Sequence, residues 1–261
     1  MNDERKHSAL WLQIWAFLTL GFLLIPVLIV LPMSFSSSST LTFPPPGWSL
    51  RWFDALLSDD EWIDAFSNSA LIATLSATAA LLSGSLAAYG LGRGQPRWRA
   101  AAEANLMLPL IVPGIITAIA LYFFYARWHM LGTLTGLVLA HTLLAVPFVV
   151  MVLGTAIRGF DVRMEQVAWS LGASWTQTIG RVVLPTLAPS LAAAWIFAFV
   201  ISFDEVIASV FLSGTINTVP KKMYNDLTMQ VTPTITAVGT VLIISTALVL
   251  LLVRTLTQRK P

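Results

Sequence analysis

The sequence predicts an all-α, polytopic membrane protein, and three observations carry that prediction. Of 261 residues, 56% are hydrophobic and only 11% are charged, whereas soluble domains average about 25% charged. The hydrophobic residues gather into runs of roughly 20, enough to cross ~30 Å of hydrocarbon at 1.5 Å per residue. Lys and Arg also concentrate in alternate connecting segments, as they do in a chain that threads a bilayer back and forth.

Six runs qualify, at about 10–33, 66–92, 104–126, 134–157, 189–213 and 235–254. The chain is therefore expected to be a single transmembrane domain with no separate soluble part. The first run is long for a signal-peptide core and lacks an Ala-x-Ala exit, which reads as a retained anchor. With the amino terminus inside, Arg5, Lys6, Arg93, Arg97, Arg99, Arg158, Arg163, Arg181, Arg254, Arg259 and Lys260 fall on the inner side. Only Arg51, Arg127, Lys221 and Lys222 fall outside. That bias puts both termini in the cytoplasm. The net charge of +2 thus reports orientation in lipid and gives no sign of a nucleic-acid surface. The absence of cysteine excludes disulfides and thiolate metal sites.

Each element has its own signals. Pro26 and Pro32 should bend the first helix near its outer end. In the outer loop, Pro44-Pro45-Pro46-Gly47 cannot be helical. Trp48, Trp52, Phe53, Leu56 and Leu57 then suggest a short amphipathic helix at the interface, a bilayer anchor or a platform for an external partner. The second helix carries Ser76, Ala80, Gly84, Ala88 and Gly92 at every fourth position, a row of small residues that lets a neighbouring backbone approach closely. Pro109 and Pro113-Gly114 in the third helix and Pro147 in the fourth should kink or open them, which is tolerable where protein or water surrounds the break. His141 has no second ligand at i±3 or i±4, so it should meet a carbonyl or polar neighbour and not a metal. Lys221 and Lys222 read as solvated residues of the outer face, the alternative being contact with an external partner or a lipid phosphate.

The fifth run contains Asp204 and Glu205 about halfway along. A carboxylate at that depth costs on the order of 3 kcal/mol, so exposure to lipid is disfavoured. Successive residues stand ~100° apart on a helix, so the two cannot point the same way. Ser202, Glu205, Ser209 and Ser213 share one narrow arc. This pattern assigns Glu205, with Ser202 and Ser209, to a water-filled substrate path and Asp204 to a contact with a neighbouring helix or subunit. A negative wall would favour a polyamine or another cation. The alternative is a buried structural pair, protonated or hydrogen-bonded, that never touches cargo.

The polar loop 158–188, between the fourth and fifth runs, is built for more than connection. Asp161 is a good N-cap, and Met164, Val167, Ala168 and Leu171 share one helical face. Gly172 fits the left-handed position that ends a helix. Ser174 and Gln177 form a capping-box pattern for a second helix, which should stop before Pro185. Two short helices with apolar surface, carrying Trp169 and Trp175, would make a knob that grips a soluble partner.

This loop resembles the EAA loop of ABC-importer membrane subunits: Glu-Ala-Ala, three residues, Gly, nine residues, a branched apolar residue, any residue, Leu-Pro. Gly172, Val182, Leu184 and Pro185 match in place, while the Glu-Ala-Ala positions read Gln166-Val167-Ala168, with Glu165 one residue earlier. Phe43-Pro44-Pro45-Pro46-Gly47-Trp48-Ser49, Leu108-Pro109-Leu110-Ile111-Val112-Pro113-Gly114, Ser202-Phe203-Asp204-Glu205-Val206 and Val219-Pro220 with Met223-Tyr224 extend the resemblance to the spermidine/putrescine (PotC-like) branch.

The resemblance implies a type I importer (MetI-like) permease in the inner membrane of a bacterium. It implies that Glu165, Gln166, Ala168, Gly172, Ala173 and Ser174 dock on an ATP-binding subunit. A dimer of such subunits, a second homologous permease and a periplasmic solute-binding protein are the implied partners. No Gly-x-x-x-x-Gly-Lys-Ser/Thr phosphate loop occurs in the sequence, so ATP and Mg belong to the partner and no cofactor is expected in this chain. The competing reading is a secondary transporter or channel driven by an ion gradient, with Glu205 as its proton or cation site.

Overall fold

The computed structural model describes residues 2–94, 97–229 and 231–258, with side chains from 11 to 248 and at 251 within them. It is helical almost throughout: α1 (Asn2–Ser34), α2 (Arg51–Ser58), α3 (Asp60–Arg93), α4 (Arg99–Ile111), α5 (Gly114–Arg127), α6 (Leu134–Gly159), α7 (Arg163–Ser170) and α8 (Trp175–Thr178). A π-helical turn (Ile179–Val183) follows, then α9 (Leu184–Phe203), α10 (Ile207–Leu212), α11 (Val219–Met229) and α12 (Thr234–Gln258). Trp11–Ser34, α3, α6 and Trp175–Phe203 are each long and apolar enough to cross a membrane. The pair α4–α5 qualifies together, bent by 101°, and α12 contributes a shorter apolar stretch, Thr234–Leu248.

The bend between α4 and α5 follows from Pro113. A residue before proline is pushed out of the helical region, and Val112 is extended at φ −73°, ψ 129°. Pro109 and Pro147, by contrast, are carried inside continuous helices. The fifth apolar run, read as one helix over 189–213, is interrupted: α9 ends at Phe203 and α10 begins at Ile207. A local side-chain bond replaces the helical ladder there, with Ala208 N donating to Glu205 Oε1 at 2.9 Å.

The chain packs as two units, Met1–Ile63 with Asn225–Pro261, and Asp64–Tyr224. In the first, α1 lies along α12 and α2 packs on α12. The loop before α2 is closed by Ser37 N donating to Gly47 O at 2.9 Å, Ser49 N to Phe35 O at 2.7 Å and Trp52 Nε1 to Ser36 O at 2.9 Å. The apolar window of α1 is 0% buried within the chain.

The second unit is centred on α6. Ala145, Val149, Leu153 and Ile157 are buried against Ala77, Ala80 and Ala88 of α3 and against Ala194 and Ala198 of α9. The small-residue row of α3 does what its spacing predicts. A Cβ on Gly84 would stand 2.7 Å from Val149 Cγ1, and one on Gly92 would stand 2.6 Å from Ile157 Cγ2. Close approach of backbones is how helices associate in lipid, where apolar burial gives no advantage. Ile72, Tyr125, Leu137, Ala140, Ala208 and Leu212 form a second cluster that joins α3, α5, α6 and α10.

Lys221 and Lys222 are not solvated, as the sequence suggested, but 8% and 7% exposed. Lys221 Nζ donates to Ser213 Oγ at 2.7 Å, Gly214 O at 2.6 Å and Ile216 O at 3.1 Å. Three acceptors compensate for lost hydration, although burial still holds the ammonium pKa below its ordinary value. Beside them, Gly132 N donates to Leu212 O at 2.9 Å. A Cβ on Gly214 would come within 2.9 Å of Gly132 Cα, so this turn is tightly packed.

Candidate coupling site and acidic helix break

The loop after α6 forms a knob of two short helices. Asp161 Oδ1 accepts from Arg163 N at 2.9 Å and Asp161 O from Met164 N at 3.1 Å, which starts α7. Its end is a Schellman turn: Gly172 has φ +83°, Gly172 N donates to Trp169 O at 2.9 Å, and Ala173 N donates to Ala168 O at 3.0 Å. One residue on, Gln177 N donates to Ser174 Oγ at 3.3 Å and Ser174 N to Gln177 Oε1 at 2.9 Å, a complete capping box. Gly172, Ala173 and Ser174 therefore fix the angle between α7 and α8.

The second helix does not stop before Pro185, as expected, but runs through the π turn into α9. Leu184 N reaches back five residues to Ile179 O. Widening the ladder to i→i+5 absorbs the missing donor of Pro185, whose fixed φ suits the first turn of α9.

The knob presents an apolar face. Met164, Val167, Trp169 and Trp175 are exposed, and Leu171 is 82% exposed. Gln166 is exposed and Ala168 half-buried. Glu165 faces the other way and is 2% exposed. Arg93 Nη2 lies 2.5 Å from its Oε1, and Tyr89 OH donates to its Oε2 at 3.3 Å. The Arg93 guanidinium sits 5.1 Å from the Phe160 ring and 5.8 Å from that of Tyr89. Sequence reasoning missed Arg93 and Tyr89, because no local spacing relates them to a residue more than 70 positions away.

The break between α9 and α10 separates residues that the sequence grouped. Asp204, the C-cap of α9, is exposed, whereas Glu205 is half-buried and bonded to Ala208 N. Ser202 and Ser209 are 3% and 0% exposed and close on His141. His141 Nδ1 lies 3.0 Å from Ser202 O and 2.9 Å from Ser202 Oγ, with Nε2 at 3.3 Å from Ser209 Oγ. Ser209 Oγ also donates to Glu205 O at 2.8 Å. The histidine thus meets a carbonyl and two hydroxyls, and the network pins α6 to both sides of the break.

The fold matches membrane subunits of ABC transporters. The chain superposes with a TM-score of 0.74 on a bacterial alginate ABC transporter solved in complex with an alginate-pentasaccharide-bound periplasmic protein, covering 95% of this chain and 94% of that one at 17% identity. Another structure of a bacterial ABC transporter that imports alginate gives 0.69, covering 97% and 95% at 15% identity. No protein-family model matches.

In sequence the chain is 32% identical to the spermidine/putrescine transport system permease protein PotC of Escherichia coli K12, over 86% of this chain and 85% of that protein. It is 32% identical to PotC of Haemophilus influenzae, over 90% and 92%. It is 31% identical to the putrescine transport system permease protein PotI of E. coli K12, over 93% and 89%. The chain belongs to the PotC/PotI-like branch of ABC-importer permease subunits. It is accordingly a multi-pass membrane subunit without catalytic chemistry or a cofactor of its own, and a partner ATPase handles ATP.

Proposed function

We propose that this permease carries a polyamine into the cytoplasm as one half of a two-chain pathway. Its other half is a different, homologous permease, and a dimer of ATP-binding subunits drives it. Both termini and the 158–188 loop lie on the cytoplasmic side, with the solute-binding protein docking opposite, in line with the distribution of Lys and Arg. The observation that carries the reading is the knob itself. Its exposed apolar face, Met164, Val167 and Leu171, is held on a frame of a Schellman turn and a capping box. A rigid apolar patch of that kind marks a protein contact. Gln166 and Ala168 flank the face and would contact the ATPase, while Gly172, Ala173 and Ser174 set its shape.

The polyamine assignment rests on the named relatives and on Asp204. An exposed carboxylate at a helix break, in a medium less screening than water, attracts a cation. Because Glu205 Oε1 caps the break and Ser202 and Ser209 join it through His141, we assign the pathway contact to Asp204 in place of Glu205, Ser202 and Ser209. Commitment of Glu205 to Ala208 N also disfavours the ion-gradient reading. Reconstitution tests the assignment. The chain, co-expressed with its partner permease and ATPase, should co-purify with the ATPase and take up putrescine into proteoliposomes only with ATP and the binding protein. Uptake by this chain alone, driven by an ion gradient, would overturn it.

A further inference from the structure

We infer that the Arg93–Glu165 pair makes α3 a second lever, carrying movement of the coupling knob across the molecule to the turn at 213–219. The inference rests on the docking role proposed above, since it concerns where the knob's motion goes. A knob joined to the bundle only through the chain would pull on α6 and α9 alone. Here Glu165, in the first turn of α7, has both carboxylate oxygens held by α3, through Arg93 at 2.5 Å and Tyr89 at 3.3 Å. The charges suit the helix ends they occupy: Glu165 at the N-terminus of α7 and Arg93 at the C-terminus of α3. Arg93 is further fixed between two aromatic rings. With Glu165 2% exposed, solvent cannot replace the contact cheaply, so the pair stays closed when the knob moves.

The far part of α3 is tied just as specifically. Asn68 Nδ2 donates to Asn217 O at 3.1 Å, and Val219 N donates to Ser69 Oγ at 2.8 Å. Lys221 binds the same turn from within through Ser213, Gly214 and Ile216. From Asn68 to Arg93 the helix spans about 38 Å at 1.5 Å per residue. No proline interrupts that length, and its packing against α6 at Gly84 and Gly92 keeps it straight. A stiff rod with a bonded handle at one end and a bonded turn at the other moves as a unit.

The test uses the assembled importer with its binding protein in proteoliposomes, and reads putrescine moved per ATP hydrolysed. Arg93→Gln, Glu165→Gln and the double variant should each lower that ratio by about tenfold, while the ATPase subunit still co-purifies. The double variant should be no worse than either single one. Tyr89→Phe, which removes a hydroxyl and leaves the ion pair, should give a smaller loss. It also stands in should an Arg93 variant fail to assemble. A normal ratio in Arg93→Gln, or in Tyr89→Phe where that variant stands in, would overturn the inference, as would additive losses in the double variant. Either result would mean that Arg93 and Glu165 do not act as a coupled pair in transmission. If the wild-type importer neither binds the ATPase nor moves putrescine, it is the proposed function that falls.

Discussion

Gly172 shows how far one residue can matter. At φ +83°, with no atom within 4 Å of where a Cβ would stand, its need for glycine is conformational and not steric. A side chain there costs about 1–2 kcal/mol for most residues, and less for Asn, which tolerates the left-handed region. Gly172→Asn should therefore keep more ATPase in a pull-down than Gly172→Val, and Gly172→Asp should release it by adding charge to an apolar docking face. The two acidic residues should separate in the same way. Asp204→Asn should reduce putrescine uptake about tenfold, the loss of one ionic contact. Glu205→Gln keeps an oxygen acceptor for Ala208 N and should leave uptake near normal, whereas Glu205→Leu should destabilise the protein by ~1 kcal/mol through loss of a helix cap. Melting curves in detergent check the last of these.

Among the elements, α3 and α6 depend on the smallest residues they contain. Gly84→Leu forces bulk into a space where even a Cβ would stand 2.7 Å from Val149 Cγ1, and overpacking of that kind costs about 1–3 kcal/mol. The variant should melt earlier than Gly90→Leu, since nothing lies within 4 Å of a Cβ at Gly90. This contact was legible in the sequence because small residues at every fourth position have few other uses on a membrane helix. The interruption of the fifth run was not. No proline or glycine marks a break within 190–213, and whether Glu205 stays in the helix or caps the next one depends on His141 and Ser209 holding the break from α6 and α10. The continuation of α8 through Pro185 was hidden for a related reason, since a π turn leaves no mark in composition.

For the whole molecule, the exposed face of α1 and the exposed knob describe a part and not a complete machine. An apolar helix window that is 0% buried needs lipid or another subunit against it. The chain expressed without its partner permease should accumulate less and melt at lower temperature than in the complex, as thermal-shift assays on both preparations would register. Replacing residues 163–178 with a Gly/Ser tether should abolish ATPase co-purification while leaving the helices inserted. Protease accessibility from the two membrane faces checks the orientation proposed for both termini.

The sequence by itself determined that the chain is a membrane-spanning helical protein, that its second helix packs closely against a neighbour, and that the loop after its fourth apolar run is a capped two-helix knob. These features rest on local physics: hydrophobic length, residue size, and caps formed within a few positions of each other. Only the tertiary structure decided that Glu165 turns inward to Arg93, that Lys221 is buried in a nest of oxygens, and that Asp204 stays exposed while its neighbour caps a helix. The partners in these contacts are brought together by packing, or are chosen by the space that packing leaves. A charged side chain takes whichever acceptor or donor the fold delivers, and sequence spacing does not contain that choice.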